Sequence, residues 1–344
     1  MENFGSWSVL TTNFLIILYL SLNGITLSAI LHLVNGKWRF QVRNLACSLA
    51  SLQPLAFIML VVLLANGEST FPWLADVNSG ELHVPGWLNY NFLVAREIIG
   101  FFFMAGMYGL FIKYQHESEI DSSYPVQRRF RNLALMIPVF YVLYGTMVAW
   151  DFEMTMYPGW HSASYGFYHF QSNFHMFLAF FTIFLFVLHR SGKLVNPLPG
   201  HIFNYMAQFI LGMTILWTYL YFTQYLIMWY GRLPVDMIRY NNMMENMYAP
   251  LWWLFLTCKF IIPFVTLAMT PNRHNPNVIV AIACLIVFGT WLERYVWISG
   301  SVSPQYYHIP MTSFFDIAVT AAVIAAAFFS VRWALGRYRL VKSA

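Results

Sequence analysis

Residues 8–34 read SVLTTNFLIILYLSLNGITLSAILHLV, a run that contains no Asp, Glu, Lys or Arg. A helix of about 20 mainly apolar residues is long enough to cross a hydrocarbon core of ~30 Å. This run therefore predicts a membrane span. It is longer than the apolar core of a signal peptide, and no Lys or Arg precedes it, so we expect a retained helix.

Eight further runs of the same kind follow along the chain. Their approximate limits are 44–66, 87–114, 133–152, 166–190, 203–230, 247–270, 277–298 and 312–336. They are continuous apolar runs rather than alternating segments of about ten residues, which favours helices over a transmembrane β-barrel. The sequence predicts an all-α polytopic membrane protein with about nine transmembrane helices.

The overall composition agrees with this fold class. Of the 344 residues, 10% are charged and 59% are apolar, whereas an ordinary soluble domain has about 25% charged residues. A soluble chain of this size cannot hide so much apolar surface. These values exclude a soluble globular enzyme, a disordered chain and a secreted disulfide scaffold. The net charge of +5 does not indicate a nucleic-acid partner, because the basic residues lie in short loops between apolar runs.

Lys and Arg are distributed unevenly between alternate connections. Loops 1, 3, 5 and 7 and the C-terminal end carry 14 of them, whereas the other side carries only Arg232 and Arg239. Cytoplasmic loops hold an excess of positive residues, so we expect the N-terminus outside and the C-terminus in the cytoplasm. An odd number of spans also places the two ends on opposite sides.

The sequence offers no binding motif for a covalent or metal cofactor. Cys47, Cys258 and Cys284 each lie in an apolar run, without a CxxC or CxxCH pattern, and are expected to be small buried side chains. His169 and His175 are six residues apart and do not share a helix face. A packing role is the simpler interpretation of these histidines, and a haem b between facing helices is the open alternative.

Several ionisable residues fall inside or at the ends of the predicted spans. A charge at the bilayer centre costs at least about 2.5–3.5 kcal/mol, so such residues are functional candidates by default. They are Arg96, Glu97 and Lys259 near the middle, Glu293, Arg294 and Asp316 about one turn below the outer surface, and Asp151 and Glu153 at the outer end of span 4. The alternative is that they form ion pairs between helices and fix only the packing.

The connection between spans 4 and 5 is aromatic and acidic. Residues 150–168 read WDFEMTMYPGWHSASYGFY. A carboxylate and an imidazole beside an apolar pocket can accept the two protons of a quinol. The candidate quinone-binding residues are Asp151, Trp160, His161 and His169.

Four short blocks carry a resemblance to a known family. They are PGWHSASYG at 158–166, FTQYLIMWYGRLPVD at 222–236, PF at 263–264 with PNRHNP at 271–276, and WLERYVW at 291–297. In this order they resemble the NrfD/PsrC-like membrane subunits, and among these the ActF type of alternative complex III. The likeness covers roughly residues 130–300, and the first 130 residues match by helix count and length alone. Residues 232–236 read RLPVD where the family has a pattern close to NLPEE, and the chain has nine spans where ActF usually has ten.

The resemblance implies a division of the chain into two four-helix bundles and one extra helix. Residues 1–152 would form the first bundle and residues 166–300 the second, with an outer linker at 153–165. Residues 301–344 would form the extra helix and a basic cytoplasmic tail.

The resemblance also implies a function. The chain would be a subunit, not an enzyme alone, of a quinol:cytochrome c oxidoreductase in the bacterial inner membrane, contributing to quinol-linked proton transfer. Quinol or menaquinol would be the ligand, while haem and iron–sulfur clusters would belong to partners: a paralogous NrfD-like subunit, an iron–sulfur subunit and c-type cytochromes. Membrane lipids would surround it.

In this hypothesis the proton-transfer candidates occupy three levels. They are Asp151, Glu153 and His161 at the outer mouth, Arg96, Glu97 and Lys259 near mid-membrane, and Glu293, Arg294 and Asp316 in the outer part. Two other classes stay open, a secondary transporter and a haem b membrane anchor. Transporters tend to have interrupted helices in both halves, and the sequence indicates one such interruption, at Pro54.

Overall fold

The computed structural model describes residues 4–80, 82–83, 86–245, 247–300, 302 and 307–342. Residues 301, 303–306, 343 and 344 of the predicted C-terminal segment lie outside these described residues. Within them the regular structure is helical, apart from one isolated bridge between Leu194 and Val341. Nine helical segments of the described chain are long and apolar enough to cross a membrane. The chain is an all-α, multi-pass membrane protein.

Fifteen α-helices are present in the described residues. They are α1 Phe4–Leu33, α2 Arg39–Ser48, α3 Gln53–Ala65, α4 Gly67–Thr70, α5 Trp73–Asn78, α6 Tyr90–Ile120, α7 Tyr124–Phe152, α8 Tyr165–Ser191, α9 His201–Tyr230, α10 Pro234–Met244, α11 Ala249–Leu256, α12 Ile262–Ala268, α13 Thr270–Arg273, α14 Pro276–Tyr295 and α15 Phe314–Arg337. Short 3₁₀ turns lie at Leu49–Leu52, Gly86–Leu88 and Met154–Met156, and π turns at Thr257–Ile261 and Val296–Gly300.

The nine candidate spans coincide with the nine predicted apolar runs. Their limits are Phe4–Leu33, Arg39–Ala65, Tyr90–Ile120, Tyr124–Met156, Tyr165–Ser191, His201–Tyr230, Ala249–Ala268, Pro276–Gly300 and Phe314–Arg337. Several helices extend beyond the predicted limits, most clearly at Tyr124, where the apolar run begins only at residue 133. The difference arises because polar helix ends satisfy their backbone in the headgroup region, where apolar residues are not required.

Local sequence explains where several helices begin. The Asn89 side chain accepts a hydrogen bond from the Phe92 amide at 3.1 Å and caps α6, and Asn275 caps α14 in the same way. Ser313 caps α15 through the Asp316 amide. Such side chains satisfy amide groups that have no partner in the first turn of a helix.

Two spans are interrupted at a proline. Span 2 passes through a 3₁₀ turn immediately before Pro54, and span 7 contains the π turn Thr257–Ile261 before Pro263. Proline lacks an amide hydrogen and clashes with the preceding turn, which disturbs a helix at this position. From the sequence, only the interruption at Pro54 was expected. The π turn is important for the site because it carries Lys259.

The first helix lies at the centre of the structure. In the apolar window of α1, 89% of the residues are buried, against 6% for α15. Helix α1 contacts α2, α3, α7, α8, α14 and α15, and α8 contacts α7, α9 and α14. Large apolar side chains such as Ile99, Leu143 and Phe329 are exposed on the outside, where lipid would cover them.

Candidate functional site

Buried ionisable side chains form two clusters in the described chain. We call the first the Arg96 cluster; it contains Trp87, Arg96, Glu97 and Asp151. We call the second the Glu153 cluster; it contains Glu153, His169, Ser172, Lys259, Glu293 and Arg294. Every ionisable side chain of both clusters is less than 9% exposed.

The Arg96 cluster joins α6 to the end of α7. Arg96 donates to Asp151 in a bidentate pair, from Nε to Oδ2 at 2.7 Å and from Nη2 to Oδ1 at 2.5 Å. Its Nη1 donates to the Trp87 carbonyl at 2.6 Å, and the Trp87 indole donates to Asp151 at 3.0 Å. The guanidinium also lies 4.0 Å from the centre of the Trp87 ring. Asp151 is therefore held as a carboxylate by a charged donor and a neutral donor.

Glu97 is different from every other acid in the two clusters. It is fully buried, and neither carboxyl oxygen accepts a hydrogen bond from a donor in the described residues. It interacts electrostatically with the Asp151 carboxyl group and with Arg96, and more distantly with Tyr19 and Tyr144. Two adjacent carboxyl groups of this kind can share one proton, with Glu97 donating to the carboxylate that Arg96 holds.

The Glu153 cluster begins with a carboxylate that has donors on every side. Arg294 Nη1 donates to its Oε1 at 2.8 Å and to its Oε2 at 2.6 Å. The Tyr165 hydroxyl lies 2.7 Å from Oε2, and His169 Nδ1 lies 2.8 Å from the same oxygen. These contacts join the turn after α7 to α8 and α14.

Glu293 forms the other half of this cluster. Its donors are Trp217 at 3.0 Å, Ser172 at 2.8 Å, and the side chains of Tyr168 and Lys259; Arg294 forms an ion pair with it at 3.0 Å. Lys259 also donates to Ser172 at 2.5 Å and lies 4.6 Å from the centre of the Trp217 ring. Two carboxylates thus face two cations.

Helix geometry explains why two adjacent residues of α14 take different partners. Successive side chains of a helix point about 100° apart, so Glu293 faces Lys259 while Arg294 reaches Glu153. Ion pairs between helices, the alternative that the sequence left open, are found for Arg96 with Asp151, Lys259 with Glu293 and Arg294 with Glu153. Glu97 forms no ion pair within the described residues. Arg294 Nη2 also lies 3.0 Å from its neighbour Glu293.

Arg239 of α10 covers the Glu153 cluster and was not singled out by the sequence. It donates to the carbonyls of Met154, Glu153 and Trp297 at 3.0, 2.5 and 3.1 Å. Its guanidinium lies between the rings of Trp160 and Trp297. Burial lowers the pKa of Arg239. From the sequence, Arg239 was expected only to be a cation in a loop. The signal that could have singled it out is its place after Pro234, in a connection on the side that carries few Lys and Arg residues.

The remaining predicted residues are placed as follows. Trp160 is buried and donates from its indole to the Asp236 carbonyl at 3.1 Å, so it fixes the linker to α10. His161 is exposed and has no hydrogen bond or ion pair within the described chain. Asp316 contacts neither cluster, and instead pairs with His308 at 2.6 Å. His175 contacts the Thr214 hydroxyl at 3.0 Å.

A series of buried polar groups continues from Glu97 along α1. Tyr19 donates to the Gly145 carbonyl at 3.2 Å, and the Tyr144 hydroxyl is buried without a partner among the described residues. Thr26 and Tyr108 are 3.0 Å apart. Further along α1, Ser28 donates a hydrogen bond to Gln115 at 2.8 Å, and Gln115 donates one to Asn44 at 2.7 Å. From residue 19 to residue 28 the helix rises by about 13 Å.

A surface cleft of about 560 Å³ lies near the N-terminal end of α6. Its lining includes Trp73, Leu88 and Tyr90, with Glu68 at one side. None of the four candidate quinone-binding residues lines this cleft. The described residues contain no group of three or more His, Cys, Asp or Glu side chains that could hold a metal ion.

Neither a protein-family model nor a curated protein matches this chain. The resemblance to the NrfD/PsrC-like subunits therefore rests on the four quoted blocks. Two of these blocks contribute directly to the Glu153 cluster and its surroundings. The block at 158–166 supplies Tyr165, and the block at 291–297 supplies Glu293, Arg294 and Trp297.

Proposed function

We propose that this chain is an ActF-like membrane subunit of a quinol-oxidising respiratory complex in a bacterial inner membrane, and that it takes part in quinol-linked proton transfer. The observation that carries this proposal is Glu97, a fully buried acid without a donor, next to the ion-paired Asp151. An intramembrane ionisable residue in this state is suited to take up and release a proton.

The two clusters have different roles in this function. The donors around Glu153 and Glu293 fix both groups as carboxylates, so the Glu153 cluster holds the helices in position. Glu97 gains a partner when it carries a proton, because it can then donate to Asp151. The proton-transfer role is therefore assigned to Glu97 with Asp151, supported by Arg96.

The hydroxyl and amide groups along α1 extend the route from Glu97. Hydroxyls can pass a proton along a hydrogen-bonded chain when water completes the gaps. With the N-terminus outside, as the distribution of Lys and Arg predicts, Glu97 lies about 10 Å along α6 from the outer surface. Thr26, Ser28 and Gln115 lie on the cytoplasmic side of it.

The electron path belongs to other subunits. Haem and iron–sulfur groups would be held by the c-type cytochrome and iron–sulfur partners, and quinol would be oxidised at or near a paralogous NrfD-like subunit. The present chain would supply the proton path beside them and the packing surface for them.

The test is Glu97→Gln in the purified complex, reconstituted in vesicles. Proton release per electron and the rate of quinol:cytochrome c reduction are measured in the same preparation. We expect proton release to fall while electron transfer persists. Glu117→Gln is the matched control, because Glu117 lies on the same helix with 39% of its side chain exposed. An unchanged proton stoichiometry in Glu97→Gln contradicts the proposal.

A secondary transporter is the second candidate, and the interruptions of spans 2 and 7 favour it. Isolation of the tagged chain in mild detergent separates the two. Co-purification with multihaem cytochrome and iron–sulfur subunits, with reductase activity, supports the respiratory complex. A stable chain that purifies alone and without activity supports the transporter. A haem absorption band of the isolated chain after reduction would instead indicate a haem b anchor.

A further inference from the structure

A cleft of about 470 Å³ lies where the connection from α1 to α2 meets the start of α9. Its lining consists of Lys37, Trp38, Gln41, His201 and Tyr205. The three aromatic rings form one wall, with 6.3 Å between Trp38 and Tyr205 and 5.2 Å between His201 and Tyr205. The cleft lies at the end of the spans opposite to the Arg96 cluster, and neither Glu97 nor Asp151 lines it.

Positive charge at this cleft has no acidic counterpart. The sequence contains no Asp or Glu from residue 3 to 67 or from residue 154 to 235, and these stretches supply the whole lining. Lys37 forms no ion pair within the described chain, whereas Arg43 is neutralised by Glu119 at 2.7 Å. Arg39 donates to the Gly36 carbonyl at 3.3 Å and lies 4.4 Å from the centre of the Phe40 ring, so its charge is also uncompensated by an acid.

Backbone groups add to the same electrostatic preference. Helix α2 begins at Arg39 and α9 at His201, and neither has an acidic residue in its first turn or a side-chain cap. The first amides of a helix and its macrodipole favour an anion. Two such ends meet at one cleft that already contains Lys37.

Gln41 indicates the second chemical feature of a ligand. Its Oε1 is buried and accepts no hydrogen bond from the described residues. A buried amide oxygen of this kind is stabilised by a hydroxyl or ammonium donor. Phe40 and Val34, which are 60% and 66% exposed, provide an apolar surface beside the cleft for acyl chains.

We infer that this cleft binds the headgroup of a phosphoglycerol lipid, such as phosphatidylglycerol or cardiolipin. The phosphodiester accepts hydrogen bonds from Lys37 and His201, and a glycerol hydroxyl donates to Gln41. Trp38 and Tyr205 lie at the level of the headgroups, where amphipathic aromatic rings are stabilised. Basic pockets between transmembrane helices bind such headgroups by the same chemistry.

Lipid binding to the full-length protein in mild detergent tests this inference. Native mass spectrometry measures the affinity for phosphatidylglycerol, phosphatidic acid and phosphatidylcholine. We expect phosphatidylglycerol to bind most tightly, and Lys37→Gln to weaken it about fivefold, the effect of one lost cation near a membrane surface. Lys113→Gln, which removes an exposed Lys of α6 that does not line the cleft, serves as the matched control and leaves the affinity unchanged.

Gln41→Leu tests the glycerol contact separately. It is expected to reduce the preference for phosphatidylglycerol over phosphatidic acid, which lacks the glycerol hydroxyls. A photoreactive phosphatidylglycerol should crosslink to peptides that contain residues 37–41 or 201–205. Size-exclusion chromatography of each variant shows whether it is folded.

Three results would overturn the inference. They are equal binding of phosphatidylglycerol and phosphatidylcholine, an equal loss in Lys37→Gln and Lys113→Gln, and crosslinks confined to other helices. Displacement of the lipid by inorganic phosphate alone would identify a site for free phosphate and would also overturn it. None of these measurements depends on quinol or proton transfer.

Discussion

The Arg96 and Glu153 clusters both place buried carboxyl groups beside cations, but they differ in how many hydrogen-bond donors face each carboxyl group. In the Glu153 cluster, at least three side chains donate hydrogen bonds to each carboxylate, and both carboxylates share an ion pair with Arg294. In the Arg96 cluster, Asp151 takes all the charged donors and Glu97 receives none. The acids of the two clusters are equally buried. The proposed division between structural acids and a proton-transfer acid therefore depends on the number of donors that face each acid.

The largest effect is expected from replacing Arg294, the cation that Glu153 and Glu293 share. Arg294→Leu leaves Lys259, which pairs with Glu293, as the one Lys or Arg of the Glu153 cluster, and breaking a buried ion pair costs about 3–5 kcal/mol. Thermal unfolding of the purified chain should therefore occur at a clearly lower temperature. Arg294→Lys should recover part of the loss because it keeps the charge. Equal stability of Arg294→Leu and the wild type would show that this cluster does not hold the helices together.

Lys259→Met should have a smaller effect in the same cluster. Glu293 keeps hydrogen bonds from Trp217 and Ser172 and its ion pair with Arg294 after this change, so the expected loss is about 1.5–3 kcal/mol, the contribution of one hydrogen bond to a charged group. The same unfolding measurement gives this value. A loss as large as that of Arg294→Leu would mean that Lys259, not Arg294, is the main cation of the cluster.

The nine spans and the candidate residues were predictable, because long apolar runs and rare intramembrane charges are visible in one sequence. The partners were not. Glu153 was expected at the outer mouth and Lys259 near mid-membrane, yet the turn after α7 and the π turn of span 7 bring them into one cluster. Arg239 was expected to be a loop cation because its partners are backbone carbonyl groups, and such partners cannot be identified from the amino-acid sequence.

The comparison is most sharply tested by the same substitution in both clusters. Glu97→Gln should change the free energy of unfolding by less than about 1 kcal/mol, because no donor loses its partner. Glu153→Gln removes the carboxylate that faces Arg294 Nη1 and His169 and leaves Arg294 with Glu293 alone, so it should destabilise the protein by about 3 kcal/mol or more. Both values come from one unfolding series. If the two variants lost similar amounts of unfolding free energy, the number of donors that face an acid would not determine how much that acid stabilises the protein.

The smallest effect is expected at His161, a residue of the linker that forms no hydrogen bond or ion pair with either cluster. His161 is exposed and has no hydrogen bond or ion pair among the described residues, so His161→Ala should change stability by no more than about 0.5 kcal/mol. The more informative measurement is the rate at which the complex that carries His161→Ala oxidises quinol. An unchanged rate leaves proton handling to Glu97 and Asp151, below the linker. A large fall in the rate, with stability unchanged, would show that this imidazole takes a proton directly from quinol, and would place the first proton acceptor outside the buried clusters.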